Sequence, residues 1–359
     1  MWPDRRIQDM LGIALPIIQA PMAGAGRADL AVAVARAGGL GSLPCAMLGP
    51  AQIRAEVGIF RQRTDRPLNL NFFCHVPPAP DPAREAAWRR RLAPFYDELG
   101  VDPAAAVAGA GRTPFDAELC ALVEELRPEV VSFHFGLPER ALLARVAATG
   151  ARILSSATTV DEAVRLEAEG CDAIIAQGVE AGGHRGMFRT GDIATQVGTL
   201  SLVPQVADAV RVPVIAAGGI ADGRGIAAAF MLGAAGVQIG TAYLFCPEAT
   251  VAAPHRRALS EGSARETALT NVFTGRPARG IVNRAMRELG PISPDAPAFP
   301  LAGGALAPLR AATEPAGSED FMPLWSGQSA GLGRTMPAGD LTRLLADEAL
   351  ARLAPRAAP

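Results

Sequence analysis

A glycine-rich stretch with one glutamine and one histidine is the part of the sequence where we first expect chemistry. The apolar run 173–176 predicts a buried strand, and Gln177, Gly182, Gly183 and His184 come soon after it. Glycines let a backbone approach a flat or phosphorylated ligand closely, and histidine moves protons or binds anions near neutral pH. Taken alone, such a loop is more often a flexible turn with a surface histidine. Its interpretation therefore depends on the rest of the chain.

Small and amide residues recur at the ends of other apolar runs, which predict further strands. Asn71 and Gln177 each carry donors and an acceptor that could hydrogen-bond the edge of a planar cofactor ring. Backbone amides of glycines and a threonine hydroxyl suit a phosphate group. The set holds two histidines and no cluster of carboxylates, so a planar, phosphorylated cofactor fits it better than a metal ion. The candidates are Pro21, Met22, Ala23, Gly24, Asn71, His134, Ser155, Ser156, Gln177, Gly182, Gly183, His184, Gly218, Gly219, Gln238, Ile239, Gly240 and Thr241.

The elements that would position these residues are eight β-rich runs that alternate with helical segments. The runs are apolar on both faces, which predicts a parallel sheet covered by helices, and the count of eight predicts a closed (β/α)8 TIM barrel of the α/β class. A doubly wound sheet is the alternative, but the first strand lacks a GxGxxG turn. The candidates would then share the C-terminal face of the barrel. The predicted strands occupy or begin within residues 16–21, 39–44, 68–73, 130–136, 152–157, 173–176, 212–217 and 236–243.

The pattern changes in two places outside the barrel strands. Residues 76–112 form a proline-rich insertion with a helix around Trp88, and we predict a flap over the active face, because a loop of this length is usually functional or mobile. Further along, residues 248–268 predict a helix and residues 271–281 an extended segment. The predicted organisation is a cofactor-binding barrel over residues 1–245, completed by residues 325–359, and a smaller substrate or cap domain over residues 246–324.

Composition and charge exclude several classes of protein. The formal net charge of −2 argues against nucleic-acid binding, which usually needs a strong basic patch. The 34 basic residues are all arginine, so Schiff-base and pyridoxal-phosphate chemistry, which need a lysine amine, are excluded. Five scattered cysteines without a CxxC pair fit a reducing cytoplasm rather than a disulfide framework or a zinc site. Since no apolar stretch reaches transmembrane length, we expect a cytoplasmic protein without a membrane partner.

Several of these stretches, in the same order along the chain, resemble the FMN-dependent nitronate monooxygenases, formerly called 2-nitropropane dioxygenases. The resemblance covers residues 13–245 and, more loosely, the rest of the chain. It is specific for the fold and for FMN, and less so for the reaction, because quinone reductases and an enoyl-acyl-carrier-protein reductase share this flavin barrel. The matching segments are residues 16–24, 69–73, 131–136, 177–184, 216–220, 238–241 and 321–328.

The resemblance implies an oxidation in which His184 is the catalytic histidine over the flavin face. An alkyl nitronate would give electrons to FMN, dioxygen would carry the oxidation through, and a carbonyl compound and nitrite would be released. His184 would abstract the α-proton of a neutral nitroalkane or stabilise the nitronate charge. His134 is the second catalytic candidate, and a strand histidine bonded to a neighbour explains it equally well. By the same resemblance, FMN is held by Asn71, Gln177, Gly182, Gly219 and residues 238–241.

Two other functions stay open at the level of the sequence. An FMN-dependent NAD(P)H reductase of quinones or enoyl thioesters would keep the barrel, but it needs a second nucleotide pocket that no sequence feature indicates. A non-catalytic flavin-binding protein would leave His184 without a role. With two tyrosines and no lysine, the pocket wall around Phe299 is expected to be mainly apolar, which favours small alkyl nitronates, with dioxygen as co-substrate. Assembly as a homodimer is left open.

Overall fold

A barrel of parallel strands forms the centre of the computed structural model, which describes residues 1–105, 112–261 and 263–354. A small antiparallel sheet lies beside it. The strands of the described residues are β1 (Ile17–Gln19), β2 (Gly41–Pro44), β3 (Leu68–Phe73), β4 (Val130–His134), β5 (Arg152–Ala157), β6 (Ala173–Gln177), β7 (Gly183–His184), β8 (Val214–Ala217), β9 (Gly236–Ile239), β10 (Thr267–Thr270) and β11 (Ala278–Ile281).

Eight of these strands pair in parallel in the order β2-β3-β4-β5-β6-β8-β9-β1. The barrel closes between β1 and β2, where the Gln19 amide donates to the Leu40 carbonyl at 3.0 Å and Ile18 bridges the same residue. The predicted (β/α)8 TIM barrel is confirmed. β3 and β5 have the predicted bounds, whereas the last barrel strand ends at Ile239, before the 3-10 helix Thr241–Phe245.

Helices connect the barrel strands and pack against their outer face. Asp116, Thr159 and Asp222 accept hydrogen bonds from the first backbone N–H groups of the helices that follow them, so local sequence explains these three starts. Among the described residues, none of the helices combines the length and the hydropathy that crossing a bilayer requires. The helices are α1 (Arg6–Leu11), α2 (Ala28–Arg36), α3 (Pro50–Arg63), α4 (Pro82–Leu99), α5 (Ala117–Leu126), α6 (Arg140–Ala148), α7 (Val160–Ala168), α8 (Thr199–Ala209), α9 (Gly223–Met231), α10 (Ala253–Ser260), α11 (Arg284–Leu289), α12 (Gly303–Thr313) and α13 (Ala338–Leu353).

The interior of the barrel is filled at one end and open at the other. Ile18, Leu154 and Ile215 belong to an apolar cluster that also contains Ile7 and Leu11 of α1, the helix before the first strand. Apolar side chains therefore close the N-terminal end of the barrel. Space for a ligand remains at the C-terminal end, where the predicted site residues follow the strands.

The small sheet lies outside the barrel and corrects one prediction. β11 pairs antiparallel with both β10 and β7, so a two-residue strand inside the glycine-rich stretch joins a hairpin from the cap. The helix predicted over residues 248–268 is wrong at its end, because α10 stops at Ser260 and residue 267 begins β10. Pairing with β11, the next strand of the hairpin, overrides the local helical preference there. Residues 271–281, predicted as extended, form the turn of this hairpin and then β11.

The insertion at residues 76–112 contributes a long helix to the cap. α4 packs on α12, with the Trp88 indole N–H donating to the Ala302 carbonyl at 3.1 Å and the Tyr96 hydroxyl to the Ala305 carbonyl at 2.5 Å. The apolar cluster around them also includes residues from both sides of β11. Part of the predicted flap, residues 106–111, lies outside the described residues.

Candidate active site

A cavity of about 720 Å³ lies at the C-terminal ends of the barrel strands. This volume is within the range of small-molecule and cofactor sites. Of the candidates from the sequence, Ser155 and Ile239 do not line it, and both are buried in the protein instead. The structure brings the others together around one space. They are Pro21, Met22, Ala23, Gly24, Asn71, His134, Ser156, Gln177, Gly182, Gly183, His184, Gly218, Gly219, Gln238, Gly240 and Thr241.

Two buried arginines fix the backbone that follows β6. Arg185 donates from Nη1 to the Gly178 carbonyl at 2.7 Å and from Nη2 to the Gln177 carbonyl at 2.5 Å. Arg279 of β11 donates from Nε to the Val179 carbonyl at 2.8 Å. Burial lowers the pKa of Arg185 to about 10, so the guanidinium stays charged at neutral pH. Three successive carbonyls thus have cationic partners, so this backbone is held in one conformation and is not the flexible turn that such a loop would suggest by itself.

His184 lies on β7 and is positioned from the cap. Its Nε2 is 3.0 Å from Thr274 Oγ1, in the turn between β10 and β11, and its Nδ1 has no hydrogen-bond partner among the described residues. Burial, and then nearby positive charge of which Arg112 is the largest source, holds the pKa of His184 well below its usual 6.5. His184 is therefore a neutral imidazole at neutral pH.

The backbone carbonyl of His184 is held by two polar side chains from the barrel. His134 Nε2 lies 3.2 Å from this carbonyl and its Nδ1 lies 3.0 Å from Ser156 Oγ. A carbonyl only accepts, so Nε2 carries the proton and Nδ1 accepts from the serine hydroxyl. Gln177 Nε2 donates to the same carbonyl at 3.0 Å, while its Oε1 accepts from the Gly186 amide at 2.8 Å. Burial lowers the pKa of His134 to about 3, so this ring is neutral as well.

Two amide side chains keep an unused acceptor at the cavity. Asn71 donates from Nδ2 to the Ser132 carbonyl at 3.2 Å and hydroxyl at 3.0 Å, which leaves Oδ1 without a hydrogen bond from the described residues. Gln238 Oε1 is buried and likewise has no partner among them. A buried acceptor without a donor is costly. A ligand that brings N–H groups to Asn71 and Gln238 would supply the missing donors.

Glycines allow three backbone segments to meet at the cavity. An ideal Cβ on Gly182 would stand 2.5 Å from the Gly327 amide nitrogen, closer than any side chain permits. Gly218 and Gly219 have φ of +105° and +72°, in the left-handed region that favours glycine. Thr241 Oγ1 accepts from the Gly327 amide at 2.9 Å and keeps its own proton to donate. Backbone amides and one hydroxyl are thus close together, as a phosphate site requires.

The carboxylate that lines the cavity, Glu180, is committed to the backbone. It accepts from the Thr199 amide at 2.9 Å and from the Thr199 hydroxyl at 2.8 Å. Its side chain also packs beside Gly219. In the part of the chain that the structure describes, no group of three or more His, Cys, Asp or Glu side chains could hold a metal ion.

Several residues of the cavity were not predicted from the sequence, and most of them come from segments outside the barrel loops. Trp325 lies with its ring centroid 5.4 Å from that of His184, and the family resemblance of residues 321–328 was the signal for this segment. Arg112 had no signal, because nothing in the sequence separates it from the other arginines. The missed residues include Phe73, Arg112, Glu180, Thr250, His255, Arg310, Met322, Trp325, Gly327 and Ser329.

Phe299, predicted from the sequence to form a mainly apolar pocket wall, belongs to an aromatic cluster behind the cavity. The Phe299 ring centroid lies 5.3 Å from that of His184, 5.4 Å from that of Phe135 and 6.3 Å from that of Phe73. Phe73 lines the cavity, whereas Phe299 and Phe135 are not among the described residues that do. Phe299 therefore supports His184 from behind.

Comparison with known proteins covers nearly the whole chain. Residues 4–348 match the sequence model of the nitronate monooxygenase family. A nitronate monooxygenase from Pseudomonas aeruginosa is 45% identical over 347 residues, which are 96% of this chain and 98% of that protein. A nitronate monooxygenase from Paraburkholderia phytofirmans is 43% identical over 348 residues, which are 96% of this chain and 94% of that protein.

Solved structures share the fold over a similar length. Nitroalkane oxidase from Streptomyces ansochromogenes superposes with a TM-score of 0.87 at 40% identity, covering 96% of this chain and 98% of that chain. FabK from Thermotoga maritima superposes with a TM-score of 0.72 at 27% identity, covering 98% of each chain. Barrel and cap therefore occur together in both.

Proposed function

The chain belongs to the nitronate monooxygenase family, and from this premise we propose how its residues carry out the family's reaction. It is a flavin-dependent enzyme that oxidises alkyl nitronates with dioxygen to carbonyl compounds and nitrite. The NAD(P)H reductase alternative is not favoured, because relatives at 43–45% identity are named nitronate monooxygenases, whereas FabK is a 27% identical neighbour.

We propose that the flavin is FMN, held between the amide acceptors and the glycine backbone. The observation that carries this is the buried, unpaired Gln238 Oε1 in the same cavity as the close glycine contacts of Gly182. Asn71 and Gln238 would accept from ring N–H groups, and the amides around Gly218 and Gly219, with the Thr241 hydroxyl, would hold a single phosphate. The chemistry that a bound flavin supplies is electron acceptance from the nitronate and electron transfer to dioxygen.

We assign His184 the role of stabilising the nitronate anion. The Thr274 hydroxyl is 3.0 Å from His184 Nε2 and 3.4 Å from the Arg276 carbonyl, so the shorter bond, to Nε2, is the better one for its proton. His184 then carries its proton on Nδ1, where it can donate to a nitronate oxygen. With its pKa held low and Nε2 occupied, His184 is a poor base for deprotonating a neutral nitroalkane. Nitronates are therefore the expected substrates.

His134 and Gln177 act as positioning residues in this proposal. Both donate to the His184 carbonyl, and both ring nitrogens of His134 are already hydrogen-bonded. The direct catalytic role considered for His134 from the sequence is thereby less well supported than a role in orienting β7. Gln177, expected to contact the flavin with its side chain, has both amide atoms engaged in the protein.

We also propose that the two parts of the chain have different functions, one binding the cofactor and the other the substrate. Residues 1–245 with 325–359 would bind the flavin, and residues 246–324 would enclose the substrate, with α4 added to this cap by its packing on α12. The five cysteines are free thiols, which supports a reducing compartment, and we place the enzyme in the cytoplasm.

The test is oxygen uptake and nitrite release by the purified protein with propyl-2-nitronate, in the absence of NADH. We expect turnover, and a kcat/KM about a hundredfold higher than for 2-nitropropane at the same pH, because the site lacks an efficient base. The flavin released by heat and separated by chromatography should be FMN and not FAD.

Three outcomes would contradict the proposal. Equal kcat/KM for the nitronate and the nitroalkane would mean that a competent base exists in the site. Release of FAD would remove the single-phosphate assignment. Rapid bleaching of the flavin by NADH under anaerobic conditions, without turnover of the nitronate, would move the protein to the reductases.

A further inference from the structure

Two arginines line the cavity, and they differ in how their charge is compensated. Arg310 donates from Nε and Nη2 to the Glu314 carboxylate at 2.8 and 3.3 Å. No carboxylate oxygen of the described residues lies within 4.0 Å of the Arg112 guanidinium. The undescribed residues 106–111, 262 and 355–359 contain no Asp or Glu. Arg112 is thus a cavity cation without a carboxylate partner among the described residues.

Arg112 and the proposed catalytic histidine line the same cavity and contact the same phenylalanine ring. Its guanidinium carbon is 5.4 Å from the Phe299 ring centroid, and the His184 ring is 5.3 Å from the same centroid. Among the positive charges that lower the pKa of His184, Arg112 contributes most. Arg112 and His184 therefore act on the same region of the cavity.

The Arg112 head group is also withdrawn from water. Its Nε atom is buried and has no hydrogen-bond partner among the described residues, and burial lowers the pKa of the side chain. The Phe299 ring offers a cation–π contact, which compensates less than a carboxylate would. A guanidinium in these surroundings is missing an anion.

We propose that Arg112 binds the two oxygens of the nitronate substrate and selects the anion over the neutral nitroalkane. A nitronate carries two oxygens on one planar nitrogen, the same outline as a carboxylate, which is the group that the arginine fork binds with two parallel hydrogen bonds. The inference rests on the proposed nitronate oxidation and names the residue that recognises its charge. Since Arg112 is the last residue of the insertion, substrate recognition comes partly from outside the barrel.

The selectivity can be tested on the unmodified holoenzyme with two probes of equal shape. Isobutyrate copies the outline and charge of propyl-2-nitronate, and isobutyramide copies the outline alone. We expect isobutyrate to perturb the absorbance of the bound flavin with a Kd at least about 30-fold lower than that of isobutyramide, and to compete with the nitronate. Equal binding of both probes would overturn the anion-selective site without any mutation.

Substitutions of the two cavity arginines then test which of them binds the anion. Arg112→Met should raise KM for propyl-2-nitronate and Kd for isobutyrate about 30-fold or more, while kcat stays within about threefold and KM for 2-nitropropane is unchanged. Arg112→Lys keeps the charge without the fork and should fall between wild type and Arg112→Met for both anions. Arg310→Met, the matched change at the paired cavity arginine, should leave both constants within about twofold.

Each remaining outcome has one meaning. Wild-type constants in a flavin-loaded Arg112→Met overturn the proposal, as does a large effect confined to Arg310→Met. If Arg112→Met does not fold, Arg112→Lys provides the test. Wild-type affinity of Arg112→Lys for propyl-2-nitronate and isobutyrate would mean that the proposed bidentate contact does not exist. Should the wild type fail to oxidise nitronates, the proposed reaction fails by itself, and the isobutyrate comparison still reports on Arg112.

Discussion

The two sides of the cavity are built in different ways. The barrel wall consists of residues within or just after the C-terminal ends of barrel strands. It offers glycine backbone, amide side chains and two acceptors that have no partner among the described residues. Its groups are neutral, and they suit a planar ring and a phosphate. The barrel wall comprises Asn71, Gln177, Gly182, Gly218, Gly219 and Gln238.

The second wall is formed by Arg112, His184 and Trp325 and is aromatic and positively charged. These residues lie outside residues 246–324, and we call this the cap wall because the cap supports it. Its residues come from three separate segments, and its histidine is held by Thr274, which lies in the cap hairpin. Nothing in the cap wall requires a flavin, but its positive charge favours an anionic substrate. The difference between the walls suggests that the barrel determines which cofactor is bound and the cap determines which substrate reaches it.

The largest expected effect is on the cap wall. His184→Asn should lower kcat with propyl-2-nitronate by about 10²- to 10⁴-fold, because the donor to the nitronate oxygen is displaced, while the protein stays yellow. Stopped-flow flavin reduction by the nitronate, without oxygen, should slow by the same factor. These readings would separate loss of chemistry from loss of cofactor.

A histidine of the same cavity provides the control. His255 lies on α10 and lines the cavity, and burial lowers its pKa to about 4. His255→Asn should keep kcat within about threefold. The aromatic neighbours of the His184 ring among the described residues are Phe73, Phe135, Phe299 and Trp325, and His255 is not one of them. An unimpaired His184→Asn would remove the histidine from the reaction, and an equal loss in both variants would point to a general disturbance of the cavity.

The next effect is on the barrel wall. Gly182→Ala places a methyl group 2.5 Å from the Gly327 amide nitrogen, so the backbone must shift where the phosphate is expected. We expect the FMN Kd, measured by quenching of flavin fluorescence, to rise roughly ten- to hundredfold. At saturating FMN, KM for the nitronate should change little, because the cap wall is intact.

Gly191→Ala is the matched control, since a Cβ at Gly191 meets nothing within 4 Å. It should retain wild-type FMN affinity and thermal stability. If Gly182→Ala kept FMN at wild-type affinity while KM rose, the assignment of cofactor to the barrel wall and of substrate to the cap wall would be reversed at this position.

The barrel wall could be predicted from the sequence, because local patterns determine it. Apolar runs gave β3 and β5 with their observed bounds, and a parallel barrel brings the residues after its strands to one face. Asn71, Gly218 and Gln238 were therefore expected around one cavity, where they are found. The glycine composition of residues 178–183 was informative too, although what it permits at Gly182 is contact with another segment.

The cap wall could be predicted only in part: His184 was named from the sequence, whereas its strand pairing and the position of Arg112 were not, because long-range packing determines them. β7 has two residues, and its partner β11 lies far along the chain, so glycine content pointed to a loop around His184. The arginines that hold this backbone, Arg185 and Arg279, look like any others in a chain without lysine. Arg112 reaches the cavity through tertiary packing alone.

The smallest expected effect is a gradual loss of stability in acid, to which all four histidines of the chain contribute. All four histidines have pKa values below the ordinary 6.5: about 3 for His134, about 4 for His75 and His255, and well below 6.5 for His184, with burial as the main cause in each case. Between pH 6.5 and about 4 the unfolded chain therefore binds more protons than the folded one, so the free energy of unfolding falls as pH is lowered through this window.

Urea unfolding at pH 7.5, 6.5 and 5.5, at constant free FMN, measures this dependence. A histidine whose pKa is strongly lowered, such as His134, contributes up to about 1.4 kcal/mol per pH unit below 6.5. Carboxylates held by arginines, such as Glu98 and Glu124, have pKa values lowered from 4.5 and lose their contribution at lower pH, so they do not obscure the result. His134→Asn should reduce the slope by about one proton. A free energy of unfolding that stays constant down to pH 5.5 would mean that the four histidines are hydrated in the folded protein. The neutral hydrogen-bond donor proposed at His184 would then lose its basis.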